Sequence, residues 1–247
     1  MLYVDIETLP NVILHWNAGK AYYISPDQII KEREIFCICY KWEGEKKVHS
    51  LVTKRKNMFD KDGMDRDMLI KISKVWDEAD EIVTQNGDRF DIPWINARLC
   101  ILELPPLPQV RQTDTLKENR KLFNFNGYGQ DYVNKLLGGT GKQLKLDWAL
   151  QKRLLGGCKM TAKDVVKYCK KDVTDLERIN LRTRPYRKVK KNPVFLDKCS
   201  NCGGSNMIKN GLFFAATGFK YQRAKCKDCN QPHTSSCAEK DEMGQYV

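Results

Sequence analysis

The stretch Leu2-Tyr3-Val4-Asp5-Ile6-Glu7-Thr8 decides the fold that we expect for this chain. Its first residues are aliphatic, aromatic and β-branched, a composition typical of a β-strand. Asp5 and Glu7 are two residues apart, so in a strand their side chains leave the same face about 6 to 7 Å apart. Both carboxylates can therefore reach one pair of metal ions, although an isolated Asp-x-Glu is more often a solvated charge.

The following segments predict more strands and helices. Residues 35–41 and 47–53 resemble the two arms of a hairpin around Glu43-Gly44-Glu45. Residues 65–79 carry apolar side chains at helical spacing, and residues 81–84 are typical of a buried strand. Strands interleaved with helices predict a mixed α/β sheet that is covered by helices on both faces.

The second half of this region is predicted to be mostly helical. Pro93 suits the first turn of a helix that follows Asp91 and runs to about Leu102. A short strand is expected at residues 110–113. A last helix is predicted to open at Thr161, with Asp164 in the place of the usual capping glutamate.

Composition and charge indicate a globular protein with a polyanionic partner. The 247 residues are 41 % hydrophobic, which suffices for one sizeable domain and a small one. The formal net charge is +12, and residues 181–247 contribute +8 of it, with 13 basic and 5 acidic side chains. Nucleic acid is favoured over a membrane, because no amphipathic basic helix or lipidation signal accompanies these charges. We predict domains at residues 1–182 and 199–247, joined by a basic linker at 183–198.

The amino-terminal sequence has neither the charged nor the apolar region of a secretory signal, and no run is long enough to span a membrane. A reducing cytoplasm is therefore the expected compartment, and a bacterial or phage-infected cell would fit. In such a compartment paired cysteines indicate metal ligation rather than disulfides. Five cysteines outside any pair are interpreted as small packing groups: Cys37, Cys39, Cys100, Cys158 and Cys169.

Two further motifs supply acidic residues. Asn86-Gly87-Asp88-Arg89-Phe90-Asp91 places Asp91 where a strand passes into a helix, and Tyr168-Cys169-Lys170-Lys171-Asp172 places Tyr168 and Asp172 one helical turn apart. Hard oxygen ligands suit Mg²⁺ and Mn²⁺, and two such ions can stabilise the attacking and leaving oxygens of a phosphoryl transfer. Three separate elements could thus converge on one metal site.

With these motifs, residues 1 to about 182 resemble the tyrosine branch of the DEDD 3′-to-5′ exonucleases, which share a ribonuclease H-like fold. The resemblance implies that four carboxylates bind two Mg²⁺ or Mn²⁺ ions and that Tyr168 orients the attacking water. The implied metal ligands are Asp5, Glu7, Asp91 and Asp172.

The second and third motifs are most similar to those of the exonuclease domains of family B DNA polymerases. This resemblance implies hydrolysis at the 3′ ends of single-stranded DNA and a DNA polymerase or another replication protein as a partner. An exoribonuclease and a catalytically silent nucleic-acid-binding adaptor are the alternatives. Candidates to hold the terminal nucleotide are Thr8, Leu9, Asn86 and Phe90, of which Leu9 and Phe90 could equally belong to the core.

Three nearby features have competing interpretations. Asp175 shares a helical face with Asp172, but the Tyr-x3-Asp spacing favours Asp172; Asp88 is interpreted as a loop charge. Residues 138–142 are rich in glycine and end in Lys142, yet they lack the earlier glycine and the Ser or Thr of a phosphate-binding loop. We interpret them as a turn whose Lys142 could contact a substrate phosphate.

The carboxyl-terminal region contains two Cys-x2-Cys pairs separated by 23 residues. Four thiolates at this spacing suit one structural, tetrahedral Zn²⁺. A module of this size has too small a core to fold without such a bound ion. The segments between the pairs resemble a zinc ribbon, with strands at 207–212 and 213–224. His233 and Cys237 are interpreted as bystanders. The predicted zinc ligands are Cys199, Cys202, Cys226 and Cys229.

The ribbon is expected to contact nucleic acid, because it combines basic and aromatic residues. A ribbon that docks onto another protein is the alternative. The residues concerned are Lys209, Lys220, Tyr221, Arg223, Lys225 and Lys227 with Phe213, Phe214 and Phe219.

Overall fold

A computed structural model of the chain describes residues 1–16, 24–142, 144–187, 198–214 and 220–234. The chain divides into two compact units, Met1–Ile179 and Asn180–Val247. Most of the predicted linker, residues 188–197, lies outside the described residues, so the linker stays a prediction.

Up to residue 187, the described residues form seven strands, six helices and two short 3₁₀ segments. The strands are β1 (Leu2–Thr8), β2 (Val12–Ile13), β3 (Ile29–Lys31), β4 (Ile35–Trp42), β5 (His49–Val52), β6 (Glu81–Thr84) and β7 (Arg111–Asp114). The helices are α1 (Arg66–Asp77), α2 (Asp91–Ile101), α3 (Thr115–Leu122), α4 (Gln130–Leu136), α5 (Trp148–Leu155) and α6 (Lys159–Thr183). The 3₁₀ segments are Pro26–Gln28 and Arg184–Tyr186.

Five of these strands form one mixed sheet in the order β5-β4-β1-β6-β7. The pairs β1–β4 and β4–β5 are antiparallel, whereas β1–β6 and β6–β7 are parallel. The strand that carries Asp5 and Glu7, β1, is therefore central in the sheet. It pairs with the antiparallel strand β4 on one side and with the parallel strand β6 on the other. The predicted mixed α/β sheet flanked by helices is confirmed.

The two faces of the sheet pack against different helices. Leu2, Val4 and Ile6 of β1 belong to a core cluster with residues of α1 and α2. Tyr3 belongs to a second cluster with residues of α5 and α6. Because successive side chains of a strand point to opposite faces, Asp5 and Glu7 lie on the same face as Tyr3, toward α6.

A register shift follows Glu7 where β1 pairs with β4. Glu7 is opposite Cys37 and Thr8 is opposite Ile35, so Phe36 is an extra residue on β4. Phe36 and Cys37 are consecutive, yet both belong to the cluster that packs on α6. The bulge thus lies at the position where the acidic pair ends, and bulges of this kind increase the local twist of a strand.

Helix α6 is held to the sheet by a buried ion pair between Lys41 of β4 and Glu177. Glu177 also accepts the N–H of Gly44 at 3.3 Å, in the turn between β4 and β5. The predicted start of this helix was wrong by two residues. The carbonyl of Cys158 already accepts the N–H of Ala162, so the helix begins at Lys159 and Thr161 lies within its first turn.

The second unit contains a three-stranded antiparallel sheet made of β8 (Met207–Phe214), β9 (Lys220–Cys226) and β10 (Pro232–Thr234), in the order β10-β9-β8. The predicted strands of the ribbon are present with shifted ends, and residues 215–219 between them lie outside the described residues. Gly211 has φ of +76°, a conformation that favours glycine, at the irregularity between Lys209 and Leu212. Among the described residues, no helix is both long and apolar enough to cross a membrane.

Candidate active site

Three carboxylates meet on the face of the sheet that packs against α6. Asp5 and Glu7 come from β1 and Asp172 comes from α6, and one oxygen of each lies within 4.8 Å of the others. Asp172 reaches the strand because α6 lies against this face of the sheet. We call these three residues the acidic group. The strand periodicity and the position of α6 thus bring together two of the three sequence motifs.

Asp91 brings the remaining motif to the same place. It is the first residue of α2, it is 2 % exposed, and its Oδ1 accepts the N–H of Ile6 at 3.0 Å. Ile6 lies between Asp5 and Glu7, so the Asp91 carboxylate lies beside the segment that carries them. Asp91 also contributes to raising the pKa of Asp5.

Lys142 provides the cation of this site. Its Nζ donates a hydrogen bond to Oδ2 of Asp172 at 2.7 Å and another to the hydroxyl of Tyr168, whose ring centroid is 4.4 Å away. Burial alone would lower the pKa of Lys142, but the bonds to Asp172 and Tyr168 raise it above its ordinary value. The sequence interpretation placed Lys142 on a substrate phosphate, whereas here it is bonded to two of the predicted site residues.

The acidic side chains repel one another in a poorly solvated place. Burial, and then Asp91 and Glu7, raise the pKa of Asp5 well above its usual range. Burial, and then Asp172, raise the pKa of Glu7 to about 8. Burial also raises the pKa of Asp91 to about 7, although the N–H of Ile6 opposes the shift. Such shifts mark an arrangement that a bound cation would relieve.

Two oxygens of the group lack a partner. Oδ2 of Asp5 and Oδ1 of Asp172 are buried, and no hydrogen-bond donor of the described residues reaches them. Buried carboxylate oxygens without donors are unfavourable unless they are protonated or bind a cation. Hard oxygen ligands of this kind fit Mg²⁺ or Mn²⁺. The residues present therefore fit the metal ions that the sequence motifs predicted.

The remaining residues of the second motif support the loop before α2. Asn86 has φ of +63°, and its N–H donates to Asp114 Oδ1 at 2.8 Å. A Cβ on Gly87 would lie 2.0 Å from the hydroxyl of Thr84, so only glycine fits there. Asp88 is exposed and pairs with Lys117, which agrees with its interpretation as a loop charge. Asp175 pairs with Lys171 at 2.6 Å and is not a member of the acidic group.

The predicted nucleotide contacts are in different surroundings. Thr8 lines a cavity of about 450 Å³ that adjoins the end of β1. Leu9 is 2 % exposed and belongs to the core cluster against α6, and Phe90 packs on the opposite cluster. Of these three, Leu9 lines a second cavity of about 200 Å³, and Thr8 lines the first cavity, which begins one residue after Glu7.

Sequence reasoning missed most of the lining of that cavity. Trp148 is 75 % exposed there, and the basic residues Arg33 and Lys145 line the same cavity. The guanidinium of Arg33 lies over the ring of Trp94, at 4.8 Å from its centroid. The signal was present in Lys145-Leu146-Asp147-Trp148, where a basic residue and an aromatic one surround Asp147, the N-cap of α5. Basic side chains that share a cavity with an exposed indole are a pattern that suits a phosphate and a stacked base.

The second unit has a metal-binding group of its own. One sulfur each of Cys199, Cys202, Cys226 and Cys229 lies within 4.8 Å of the others, so this group could hold a structural metal such as zinc. The predicted bystander His233 is buried, and its Nε2 is 3.3 Å from the sulfur of Cys199. It therefore lies beside the group without being one of the four. Cys237 lies outside the described residues.

Comparison with known proteins gives a likeness in fold. The chain is similar to the structure of the family B DNA polymerase from the hyperthermophilic archaeon Pyrobaculum calidifontis, with a TM-score of 0.53 and 16 % sequence identity. The likeness covers 74 % of this chain but 24 % of the polymerase, so this chain spans about a quarter of that protein. No protein-family model and no curated protein sequence matches the chain.

Proposed function

We propose that the chain is a metal-dependent 3′-to-5′ exonuclease of the tyrosine DEDD branch that hydrolyses the terminal phosphodiesters of single-stranded DNA. The acidic group with its partnerless oxygens on Asp5 and Asp172 is the observation that carries the proposal. The fold likeness to a family B DNA polymerase supports a nucleic-acid-related role. The direction of cleavage and the preference for DNA rest on the resemblance of the motifs.

In this proposal Asp5, Glu7, Asp91 and Asp172 hold two Mg²⁺ or Mn²⁺ ions. Two such ions, when bound, stabilise the attacking and leaving oxygens of a phosphoryl transfer. The protein's own part is to hold the four carboxylates on the rigid elements β1, α2 and α6. Because Asp91 is fixed by the N–H of Ile6, at least one ligand is oriented before any ion arrives.

Tyr168 positions the attacking water in this mechanism. Burial raises the pKa of Tyr168 to about 12, so its hydroxyl keeps its proton at neutral pH. That hydroxyl accepts a hydrogen bond from Lys142, which leaves its own proton to be donated to a water molecule. Lys142 also offsets part of the negative charge of Asp172, and its ammonium lies close enough to the group to meet a substrate phosphate.

The cavity next to Thr8 is the place for the substrate strand. Lys145 and Arg33 can contact phosphates, and the exposed ring of Trp148 can stack on a base. Contacts of this type read no base sequence, which suits an enzyme that removes nucleotides one after another. The ribbon adds positive charge for binding nucleic acid through its exposed Lys209 and Lys227. The proposed protein partner is a DNA polymerase or another replication protein.

A time course on 5′-labelled DNA and RNA oligomers with Mg²⁺ or Mn²⁺ tests the proposal. We expect a ladder of products shortened from the 3′ end, faster on single-stranded DNA than on RNA, and none in EDTA. A parallel substrate with a blocked 3′ end should resist cleavage. A faster RNA ladder would reassign the substrate to RNA. Internal fragments from the blocked substrate would refute an exonuclease. Labelled strands that keep their full length with every substrate would refute it as well.

A further inference from the structure

Three thiols form a second buried cluster, which the mechanism above does not use. Cys37 and Cys39 come from β4 and Cys169 from α6, and each of them is 0 % exposed. One sulfur of each lies within 4.8 Å of the others. We call these residues the thiol triad. These three cysteines were predicted to be small packing groups, because they lie among apolar or helical residues of the sequence.

The triad lies next to the acidic group. In the β1–β4 ladder Cys39 is opposite Asp5 and Cys37 is opposite Glu7. The thiol of Cys169 donates to the backbone carbonyl of Asp5 at 3.4 Å. Cys37 and Cys39 lie in the regular part of this ladder and belong to the cluster that packs against α6. The three sulfurs are therefore positioned by the same elements that position the carboxylates.

The dimensions of the triad suit one ion with three ligands. Metal–thiolate bonds are about 2.3 Å long, so three sulfurs around one central ion lie about 4 Å apart. The observed separations, all within 4.8 Å, need little contraction to reach that value. Among the described residues no further Cys, His, Asp or Glu ligand atom lies within 4.8 Å of all three sulfurs. The geometry favours threefold over tetrahedral coordination.

We propose that the thiol triad is a binding site for a soft monovalent metal ion, Cu⁺. Thiolate ligands select soft ions such as Cu⁺, whereas a structural Zn²⁺ requires a fourth ligand that the triad lacks. The site is independent of the proposed nuclease activity.

Copper binding to the full-length, zinc-loaded chain tests this proposal. Cu⁺ is supplied anaerobically from a coloured chelator complex, and the copper taken up is measured against Cys37→Ser and Cys169→Ser variants. We expect the unchanged chain to take up one equivalent more than either variant. Cys100→Ser is the matched control, because Cys100 is an exposed cysteine outside the triad, and it should behave as the unchanged chain. Equal uptake by all four proteins would overturn the proposal.

A second measurement needs no substitution. X-ray absorption at the copper edge, on unchanged chain with one equivalent of Cu⁺, should show three sulfur neighbours and no second copper nearby. Copper that had instead entered the four-cysteine group would form a multinuclear thiolate cluster with short copper–copper distances and would release zinc. That result would also refute the assignment. Thermal melting shows whether each serine variant folds. Cys37→Ala or Cys169→Ala replaces a serine variant that does not.

Discussion

The backbone N–H of Ile6 donates a 3.0 Å hydrogen bond to the carboxylate of Asp91. Ile6 stands between Asp5 and Glu7 in β1, and Asp91 opens α2, so this bond joins two motifs that are 85 residues apart in the chain. Since Asp91 is buried, the backbone and not the solvent sets the direction of its carboxylate. The position of Asp91 beside the acidic group is thus set by the backbone of β1. Single substitutions of these carboxylates should therefore change the chemistry of the site more than the fold.

Asp172→Asn should abolish most nuclease activity while Asp175→Asn should not. Asp172 belongs to the acidic group, whereas Asp175, three residues later on the same helix, pairs with Lys171. Loss of one electrostatic group at a reacting centre lowers kcat by about a hundredfold or more. Initial rates on a 5′-labelled strand at saturating Mg²⁺ measure this. Equal losses in the two variants would show that Asp172 has no special role.

Tyr168→Phe and Lys142→Met should each lower kcat, and their combined effect should be smaller than the product of the two. The reason is that Lys142 bonds to the Tyr168 hydroxyl, so either change disrupts the same contact. Coupled neighbours typically show interaction energies of about 0.5–3 kcal/mol. Single-turnover rates of both variants and the double variant give the coupling. Strictly multiplicative losses would mean that the two residues act separately.

Without metal, the protein should become less stable between about pH 5 and pH 8. The folded-state pKa values of Glu7 and Asp91 are raised to about 8 and about 7, so the folded protein binds more protons than the unfolded chain in this window. The contribution of these two carboxyl groups to stability is therefore greatest at low pH and is lost as pH rises through these values. Thermal melts in EDTA measure it.

The Glu7→Gln variant provides the control for this pH dependence. It removes one of the shifted carboxyl groups, so its thermal midpoint should fall less steeply over the same window. Added Mg²⁺ should stabilise the unchanged chain more at pH 8 than at pH 5, because the ligands are then deprotonated. A midpoint that rises with pH in EDTA would contradict the directions of these pKa shifts.

Much of the site was predictable, because strand and helix periodicities constrain where side chains point. The spacing of Asp5 and Glu7 placed both on one face, and the spacing of Tyr168 and Asp172 placed both on one turn of a helix. The structure puts Asp5, Glu7 and Asp172 together. Asp91 accepts a hydrogen bond from the N–H of Ile6, the residue between Asp5 and Glu7. Predicted elements within the sheet also agree, and residues 81–84 match β6 to the residue.

What could not be predicted depends on contacts between distant segments. Nothing near Lys142 in the sequence indicates that its ammonium reaches Tyr168 and Asp172, since the loop that carries it follows no periodic pattern. The position of Leu9 was ambiguous for a similar reason: an apolar residue after a strand is found in cores and in binding surfaces alike. Its burial is decided by packing of α6, which lies more than 140 residues later.

The purified chain should contain one zinc ion, and Cys202→Ser should lose it. Four thiolates form a closed site, and so small a unit depends on the ion for folding. Elemental analysis and melting of the two units test this, with Cys100→Ser as a thiol control. The variant should lose the β8–β10 sheet while the Met1–Ile179 unit melts as before. Retained zinc, or full loss of both units, would contradict the prediction.

The ribbon's charges should appear in the salt dependence of binding. Lys209 and Lys227 are exposed on the second unit. If each contacts a phosphate, replacing one with glutamine should reduce the slope of log affinity against log salt by about 0.7 on a single strand. Fluorescence anisotropy with a catalytically inactive background measures this. Lys74→Gln is the matched control, because it removes one positive charge from α1 in the first unit and not from the ribbon. Identical slopes in all three variants would favour a ribbon that docks onto protein.

The bulge at Phe36 has a consequence for how this gene can change. An insertion of one residue within β1 would turn the residues on one side of it to the opposite face of the sheet, so Leu2 and Val4 could no longer pack under α1 and α2 while Asp5 and Glu7 face α6. An extra residue is tolerated where it is taken up as a bulge, as Phe36 is on β4. A length change in β1 that is not taken up in this way would therefore disturb the packing of the sheet together with the acidic pair. Inactive descendants that still fold should therefore arise by substitution, with the length of this strand unchanged.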